Sequence, residues 1–181
     1  MKNLILKYNE INESNELDEL SFEEIGRLAK LGLLDDDLLY IYNYVKTGST
    51  GDLDMQYSKL QYLPNWLTIV FGVLDIHKSN IEDIPDSLEI TDSIYASDSK
   101  LKEFRRTETA RSLLLDYSKI TKLPDNLIVH GYLSVEGIQF EQFPKNLIID
   151  GIFYIKNSNL TNLSDEELRE TYNISAMSII R

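Results

Sequence analysis

The chain has 181 residues, of which 43% are hydrophobic and 27% charged, and its formal net charge is -12. This composition is typical of a globular protein with enough apolar material for a core, and the length suits one domain. The lack of cysteine excludes disulfides and cysteine-zinc sites, and the acidic charge argues against direct binding to nucleic acid, which needs basic patches.

Residues 1–20 are predicted to form a polar lead segment. Their apolar run, Leu4 to Leu6, is too short for the core of a signal peptide. No apolar stretch of the chain approaches the length of a membrane span. We therefore expect a cytoplasmic protein without a membrane partner.

Residues 21–47 are predicted to form a helical hairpin that caps the N-terminal end. Ser21 and Glu24 have the spacing of a capping box, and apolar residues follow at helical spacing until Gly32, a plausible helix stop. A second helix is expected to start within residues 35–37, a run of three aspartates. This run lacks the alternating ligands and the turn glycine of a calcium site, whereas the helix dipole stabilises acidic residues at a helix start. We expect no metal there.

Residues 51–163 contain a repeated unit of about 20 residues. Successive prolines are separated by 21, 39 and 20 residues, and Phe104-Arg105 stands where the missing Leu-Pro pair would be. The common pattern is L-x-L-x-x-S-x-L-x-x-L-P-x-x-L-x-V-x-G-x. Each L-x-L pair predicts a short strand with both apolar side chains on one side. One unit cannot bury that side alone, whereas stacked units form a continuous core.

The pattern fixes a set of expected strands and one expected core column. Parallel strands are predicted at residues 53–55, 74–76, 94–96, 113–115, 133–135, 153–155 and 174–176. The predicted buried column consists of Leu60, Ile81, Leu101, Ile120, Phe140 and Leu160.

The unit resembles the repeat of the leucine-rich-repeat family, whose core motif is L-x-x-L-x-L-x-x-N-x-L. The match covers residues 53–160 and departs from the motif at the asparagine position, which holds Ser58, Ser79, Ser99, Ser118, Ile138 and Ser158. The spacing is similar to that of a short LP-containing bacterial class, and similar arrays occur in bacteriophage proteins, so the resemblance points to a phage or bacterial source. It implies an α/β solenoid, a right-handed stack of coils with a parallel β-sheet and a ligand face on the concave side.

Residues 164–181 are predicted to form a C-terminal cap. Ser164 and Glu167 have the spacing of a second capping box, and a short helix is expected near Asp165 to Glu170, before the final strand. The whole chain, residues 1–181, is therefore expected to be a single domain.

Strand residues that alternate with core residues are predicted to form the exposed concave face. The N-terminal coils place acidic residues there, and the later coils place aromatic and aliphatic ones. The predicted partner-binding residues are Asp52, Asp54, Asp75, Tyr95, Leu114, Tyr132, Ile152 and Tyr154. Exposed aromatic residues beside aliphatic ones are typical of binding hot spots, whereas coverage by caps, a loop or self-association is the alternative.

No pattern in the sequence indicates catalysis or a cofactor. His77 and His130, the two histidines, occupy different positions of different units and suggest no arrangement of base and nucleophile. Four glycines that precede strands lie a full coil apart, which does not suit a phosphate loop, and a tight backbone bend explains them better. They are Gly51, Gly72, Gly131 and Gly151.

The third unit is irregular. Arg105 stands at the proline position and Glu108 at a usual leucine position. Charged side chains cannot stay in a dry core without partners, so this coil is expected to bulge outward, either as a tolerated defect or as a specific basic contact.

These patterns predict a non-enzymatic protein-binding module, an inhibitor or adaptor, whose partner is a protein. For a phage source, interference with a host protein would be a natural role. The alternative is an acidic mimic of nucleic acid that blocks a DNA- or RNA-binding protein. A mimic needs its carboxylates in a regular array, whereas here they cluster at one end of the face, which favours the binding module.

Overall fold

The computed structural model describes residues 20–181 and shows a solenoid whose short strands all pair in parallel. Nearly all of the predicted lead segment lies outside the described residues. The strands, in chain order, are β1 (Leu53–Asp54), β2 (Ile69–Val70), β3 (Leu74–Asp75), β4 (Glu89–Ile90), β5 (Ile94–Tyr95), β6 (Glu108–Thr109), β7 (Leu113–Leu114), β8 (Ile128–Val129), β9 (Leu133–Ser134), β10 (Ile148–Tyr154) and β11 (Ser175–Ile180).

The strands form two ladders that run along the stack. The first ladder pairs β1, β3, β5, β7, β9 and β10 in that order, and the second pairs β2 with β4 and β6 with β8 and β10. The long strand β10 belongs to both, and β11 pairs with it over its whole length. Six of the seven predicted strands are confirmed as strands of the first ladder, although the hydrogen-bonded part of the first five has only two residues.

The seventh predicted strand is wrong in register. Residues 174–176 were expected to continue the first ladder after Phe153, but Phe153 pairs with Ile179. Ser175 pairs with Ile148, so Ile174 precedes the second-ladder part of β11. The buried Ile174 therefore corresponds to the leucine of the later L-x-V segment of the repeat, and not to the first leucine of its L-x-L segment.

The core is one continuous apolar cluster along the solenoid. The predicted column is confirmed in the five later coils, where Ile81, Leu101, Ile120, Phe140 and Leu160 are at most 5% exposed. Leu60 packs against this cluster and against the apolar side chains of the N-terminal helices but is only partly buried. The predicted column is therefore confirmed only in part at this position.

A left-handed turn follows each strand of the first ladder, and the sequence did not predict it. The residues with positive φ at this position are Tyr57, Lys78, Asp98, Tyr117, Gly137 and Asn157. The next residue is the repeated serine in five of these turns and Ile138 in the sixth, and all six residues are buried. In the third coil the Ser99 hydroxyl donates to the Ala96 carbonyl at 2.6 Å and accepts from the Leu101 N–H at 3.3 Å. The serine thus satisfies backbone groups that the turn leaves without ladder partners.

Two helices precede the first coil. Helix α1 (Phe22–Lys30) has the predicted capping box of Ser21 and Glu24, and helix α2 (Asp36–Lys46) is capped by Asp35, which accepts from the Leu38 N–H at 2.9 Å. Their buried apolar residues pack against Leu60 and Trp66 of the first coil. No helix of residues 20–181 is long and apolar enough to cross a membrane.

Polar contacts tie the helices to the first coil. The Tyr44 hydroxyl donates to the carbonyls of Ser49 and Gly51 at 2.7 and 2.8 Å, and burial raises the pKa of Tyr44. Asp37 accepts from the Ser58 hydroxyl at 2.8 Å and from the Lys59 N–H at 2.9 Å. The aspartate run therefore caps and anchors α2.

The C-terminal segment contains a 3-10 turn, Asn159–Asn162, and a π-helical turn, Glu167–Thr171, where a short helix was expected. The predicted capping box is confirmed: the Ser164 N–H donates to Glu167 at 2.8 Å and the Glu167 N–H donates to the Ser164 hydroxyl at 3.1 Å. The bond from the Ser164 N–H lowers the pKa of Glu167.

Candidate functional site

The candidate site is the side of the first ladder opposite the core, which we term the outward face. In each short strand of the first ladder the first residue is buried and the second points to the other side. The middle column of the face is therefore Asp54, Asp75, Tyr95, Leu114, Ser134 and Tyr154, with Ile180 added by the pairing of Tyr154 with Ile180. The residues just before these strands form a neighbouring column that contains Asp52, Tyr132 and Ile152.

The structure brings most of the predicted apolar residues together, and we term Leu114, Tyr132, Ile152, Tyr154 and Ile180 the apolar zone. The rings of Tyr132 and Tyr154 meet edge to face with centroids 6.4 Å apart. Tyr132 is 50% exposed and Ile180 43% exposed, whereas Leu114, Ile152 and Tyr154 are half-buried. Exposure was therefore predicted correctly for Tyr132 and overestimated for Leu114, Ile152 and Tyr154.

Tyr95 borders the apolar zone, and Ser134 interrupts it. Tyr95 is half-buried and pairs with Leu114 in the ladder, so it extends the zone by one coil. Ser134 lies between Leu114 and Tyr154 and is buried, with its hydroxyl bonded to Asp116. The ring of Tyr132, from the same coil as Ser134, contacts the ring of Tyr154 in the next coil.

Ile180 is a member of the zone that the sequence analysis missed. The expected register placed Ile174 in the first ladder, which left residues 177–181 without a role. The signal was present, because Met177-Ser178-Ile179-Ile180 repeats the strand alternation of Gly151-Ile152-Phe153-Tyr154 in the same register.

The acidic zone consists of Asp52, Asp54 and Asp75. Asp52 accepts from the Val73 N–H at 2.8 Å, in the next coil, and Asp54 accepts from the Gln56 N–H at 3.0 Å. Both carboxylates are exposed, and each has a backbone donor that fixes its orientation.

Asp75 is the most constrained carboxylate of the acidic zone. It accepts from the Gln56 side-chain amide at 3.0 Å and from the His77 N–H at 3.1 Å, and it contacts His77 Nδ1 at 3.1 Å. The His77 ring also lies 5.7 Å from the Tyr57 ring. No serine, threonine or tyrosine hydroxyl of the described residues hydrogen-bonds to His77.

The second histidine lies on the outer side of the second ladder. His130 contacts Asp150 at 2.8 Å and Glu108 at 2.9 Å, so one ring joins three successive coils. The Asp150 contact, followed by that with Glu108, raises the pKa of His130. Across residues 20–181, no group of three or more histidine or acidic side chains is arranged to hold a metal ion.

The His130 cluster predicts a pH-dependent contribution to stability. A raised folded-state pKa stabilises the fold fully below the unfolded value of about 6.5, and this stabilisation is lost as the pH rises through the folded value. We expect His130→Gln to lower the free energy of unfolding relative to wild type more at about pH 6 than at about pH 8.5. Denaturant titration measures this difference, and equal deficits at both pH values would contradict it. Asp150→Asn should lower the pKa of His130 in an NMR titration.

The irregular third coil uses its basic side chains within the chain. Arg105 pairs with Asp83 at 2.8 Å, with Glu103 at 3.1 Å and with Asp86 at 3.3 Å, and its pKa is raised chiefly by Asp83. The prediction that Glu108 occupies a leucine position is wrong. Glu108 pairs with Ile128, whose side chain points outward. The coil is therefore accommodated without an acidic group in the core.

Arg106 is half-buried in this coil. Its guanidinium donates to the Pro85 carbonyl at 2.9 Å and to the Leu88 carbonyl of the preceding coil, and burial lowers its pKa. The second ladder is interrupted between β4 and β6, where this side chain bonds those carbonyls. Both guanidinium groups are thus engaged by groups of the chain itself.

A cleft of about 660 Å³ lies where the start of α2 meets the first three coils. Three of its four carboxylates are already engaged: Asp35 caps α2, Asp37 binds Ser58, and Glu82 pairs with Lys102, which lowers the pKa of Glu82. The cleft therefore offers fewer free groups to a partner than the outward face.

The chain matches no protein-family model, and comparison with curated proteins and with solved structures found no similar protein.

Proposed function

We propose that this chain is a non-enzymatic protein-binding module, an inhibitor or adaptor, that binds its protein partner through the outward face. The observation that supports the proposal is the apolar zone, in which Tyr132 and Ile180 are about half exposed beside Leu114, Ile152 and Tyr154. Tyrosine suits such a surface because it offers a large contact area, few rotatable bonds and a polar tip.

The leucine-rich-repeat resemblance belongs to the same proposal. We infer that the coils wind in the right-handed, leucine-rich-repeat-like way with the outward face on the concave side, and that α1, α2 and the C-terminal turns act as caps. The packing of α1 and α2 against Leu60 and Trp66 supports the capping role, because terminal coils otherwise expose their core. A cytoplasmic location and a phage or bacterial source complete the proposal, with a host protein as the partner.

The acidic-mimic alternative has weaker support. A mimic needs carboxylates that repeat along the face, whereas in the middle column Asp54 and Asp75 are followed by Tyr95 and Leu114. The apolar zone also has no role in a mimic of nucleic acid.

The test replaces the two tyrosines whose rings are in edge-to-face contact. Tyr132→Ala with Tyr154→Ala should leave the fold intact, because neither side chain belongs to the core. We expect each substitution to weaken partner capture by about 1 kcal/mol or more, the size typical of hot-spot residues. The measurement is affinity capture from a lysate of the source cells, after circular dichroism has confirmed folding.

A matched control keeps the number of lost tyrosines the same. Tyr40 and Tyr62 are 44% and 42% exposed and lie away from the outward face. Tyr40→Ala with Tyr62→Ala should capture the partner as wild type does. If the Tyr132 and Tyr154 double variant also captured it fully, the proposed site would be wrong.

A further inference from the structure

The acidic residues of this protein divide into two groups according to their ion pairs. Away from the outward face many carboxylates have a lysine or arginine partner, which neutralises them within the chain. These pairs are Glu23 with Arg27, Glu82 with Lys102, Asp83, Asp86 and Glu103 with Arg105, Asp92 with Arg111, and Asp165 with Arg181.

On the outward face the carboxylates lack such partners. Among residues 20–181, no lysine or arginine forms an ion pair with Asp52, Asp54, Asp75, Asp116 or Glu136, and the contact of Asp75 with His77 is the nearest equivalent. Backbone N–H groups orient several of these carboxylates but carry no full charge to cancel theirs. The N-terminal and central part of the face therefore keeps a net negative charge for an external cation.

The unpaired acids and the apolar zone share one surface in a fixed order. Asp54 and Tyr154 stand in the same column, five strand steps apart along the first ladder. At about 4.8 Å for each step, their backbones are roughly 24 Å apart. An α-helix of about 16 residues covers this distance. A single segment of a partner can thus reach both zones.

The charge pattern argues against a second copy of this chain as the occupant. The full chain carries a formal charge of -12, and two outward faces brought together would oppose unpaired carboxylates across a desolvated interface. The complementary surface is cationic opposite Asp52 and Asp54, and apolar opposite Tyr132 and Tyr154.

We propose that the partner presents a bipartite segment. Its lysine or arginine residues bind the acidic zone, and its aliphatic or aromatic residues bind the apolar zone. This inference rests on the proposed function and adds the chemistry of the bound segment and the order of its two parts along the face. The apolar contacts supply most of the affinity, whereas the charges supply orientation and selectivity against acidic sequences.

The test selects peptides from a random 16-residue display library against the full chain. The selected sequences are expected to combine lysine or arginine at one end with aliphatic or aromatic residues at the other. Synthetic, fluorescein-labelled copies are then titrated by anisotropy against wild type, against Asp52→Asn with Asp54→Asn, and against Tyr132→Ala with Tyr154→Ala. Asparagine keeps the side-chain oxygen that accepts the backbone N–H, so the acidic variant removes charge with little effect on the fold.

A charge-matched control separates local from global electrostatics. Glu141→Gln with Glu170→Gln removes the same number of charges from exposed positions outside the outward face. We expect the Asp52 and Asp54 variant to weaken peptide binding about threefold or more, and the control variant to bind as wild type does. Wild-type affinity should also fall as salt is raised, because screening weakens exposed charge contacts.

The outcomes distinguish this inference from the proposed function. Binding that needs Tyr132 and Tyr154 but ignores both salt and the aspartates would overturn the bipartite partner and leave the protein-binding face standing. Binding that is indifferent to all four substitutions would overturn both. Binding weakened equally by the Glu141 and Glu170 control would reduce the charge effect to general attraction and overturn the inference.

Discussion

Replacing Phe140 with alanine is expected to lower the free energy of unfolding by about 3–5 kcal/mol. Phe140 is 5% exposed and belongs to the buried column between Ile120 and Leu160 of the neighbouring coils. Alanine would remove most of the side chain and leave a cavity, because the coils above and below are held by their own ladders and cannot close in completely. Denaturant titration followed by circular dichroism measures the change.

The control for Phe140 lies in the same coil. Gln142 is exposed, so Gln142→Ala should change the free energy of unfolding by less than about 0.5 kcal/mol. A midpoint for Phe140→Ala that matched the midpoint of this control would show that the column is not packed as the structure has it.

The register of the first six coils could be predicted because each coil repeats the same L-x-L pattern. Each L-x-L pair places two apolar side chains on one side of a strand, and a slip of one residue would expose both. The pairings Leu53–Leu74 and Leu113–Leu133 follow that rule without exception. The periodicity of the sequence therefore predicted the positions of these strands and of the buried column.

The last strand could not be predicted from periodicity alone. From Asn159 onward the chain makes a 3-10 turn and a π-helical turn, which change the number of residues in the coil. Two segments near the C-terminus fit an alternating pattern, Ile174-x-Ala176 and Ser178-Ile179. From the sequence alone, either could have paired with the strand segment at Phe153. The pairing of Phe153 with Ile179 decides between them, and it places Ile180 in the apolar zone.

The sequence predicts which residues lie on the outward face, but not how exposed each of them is. Alternation tells which side chains leave the core, and it assigned Tyr95 and Tyr132 to that side correctly. Exposure depends on neighbours in the adjacent coils, and the edge-to-face contact with Tyr132 helps to leave Tyr154 half-buried. The ion pairs that separate the two groups of acids depend on long side chains one coil apart, which no pattern along the chain records.

The glycines before the strands have a different reason from the expected backbone bend. Gly51 does have a positive φ, of 81°, but Gly72, Gly131 and Gly151 do not. A Cβ built on Gly151 would lie 2.7 Å from the Gly131 carbonyl oxygen of the preceding coil, and one on Gly72 would lie 2.7 Å from the backbone of Gly51. These glycines are required because consecutive coils approach each other closely at this corner.

Gly151→Ala is therefore expected to lower the free energy of unfolding by about 1–3 kcal/mol, the usual cost of overpacking a well-packed site. The obstacle is the backbone of Gly131, which the Gly151 N–H holds in a hydrogen bond of 2.9 Å, so the neighbouring coil cannot give way without weakening the ladder. The same Cβ would lie 2.7 Å from Tyr132 Cδ1, so the substitution should also displace that ring from its contact with Tyr154. Denaturant titration checks the first effect and near-ultraviolet circular dichroism the second.

Arg111 provides the control for Gly151, because it occupies the same column in a coil that already accommodates a Cβ. Its side chain is 70% exposed and pairs with Asp92 at 3.4 Å, a surface contact worth about 0–1 kcal/mol. Arg111→Ala should therefore stay close to wild type, while Gly151→Ala falls well below it. Equal stability of Gly151→Ala and wild type would mean that the coils are farther apart at this corner than the structure shows, and that the glycine column has no steric role.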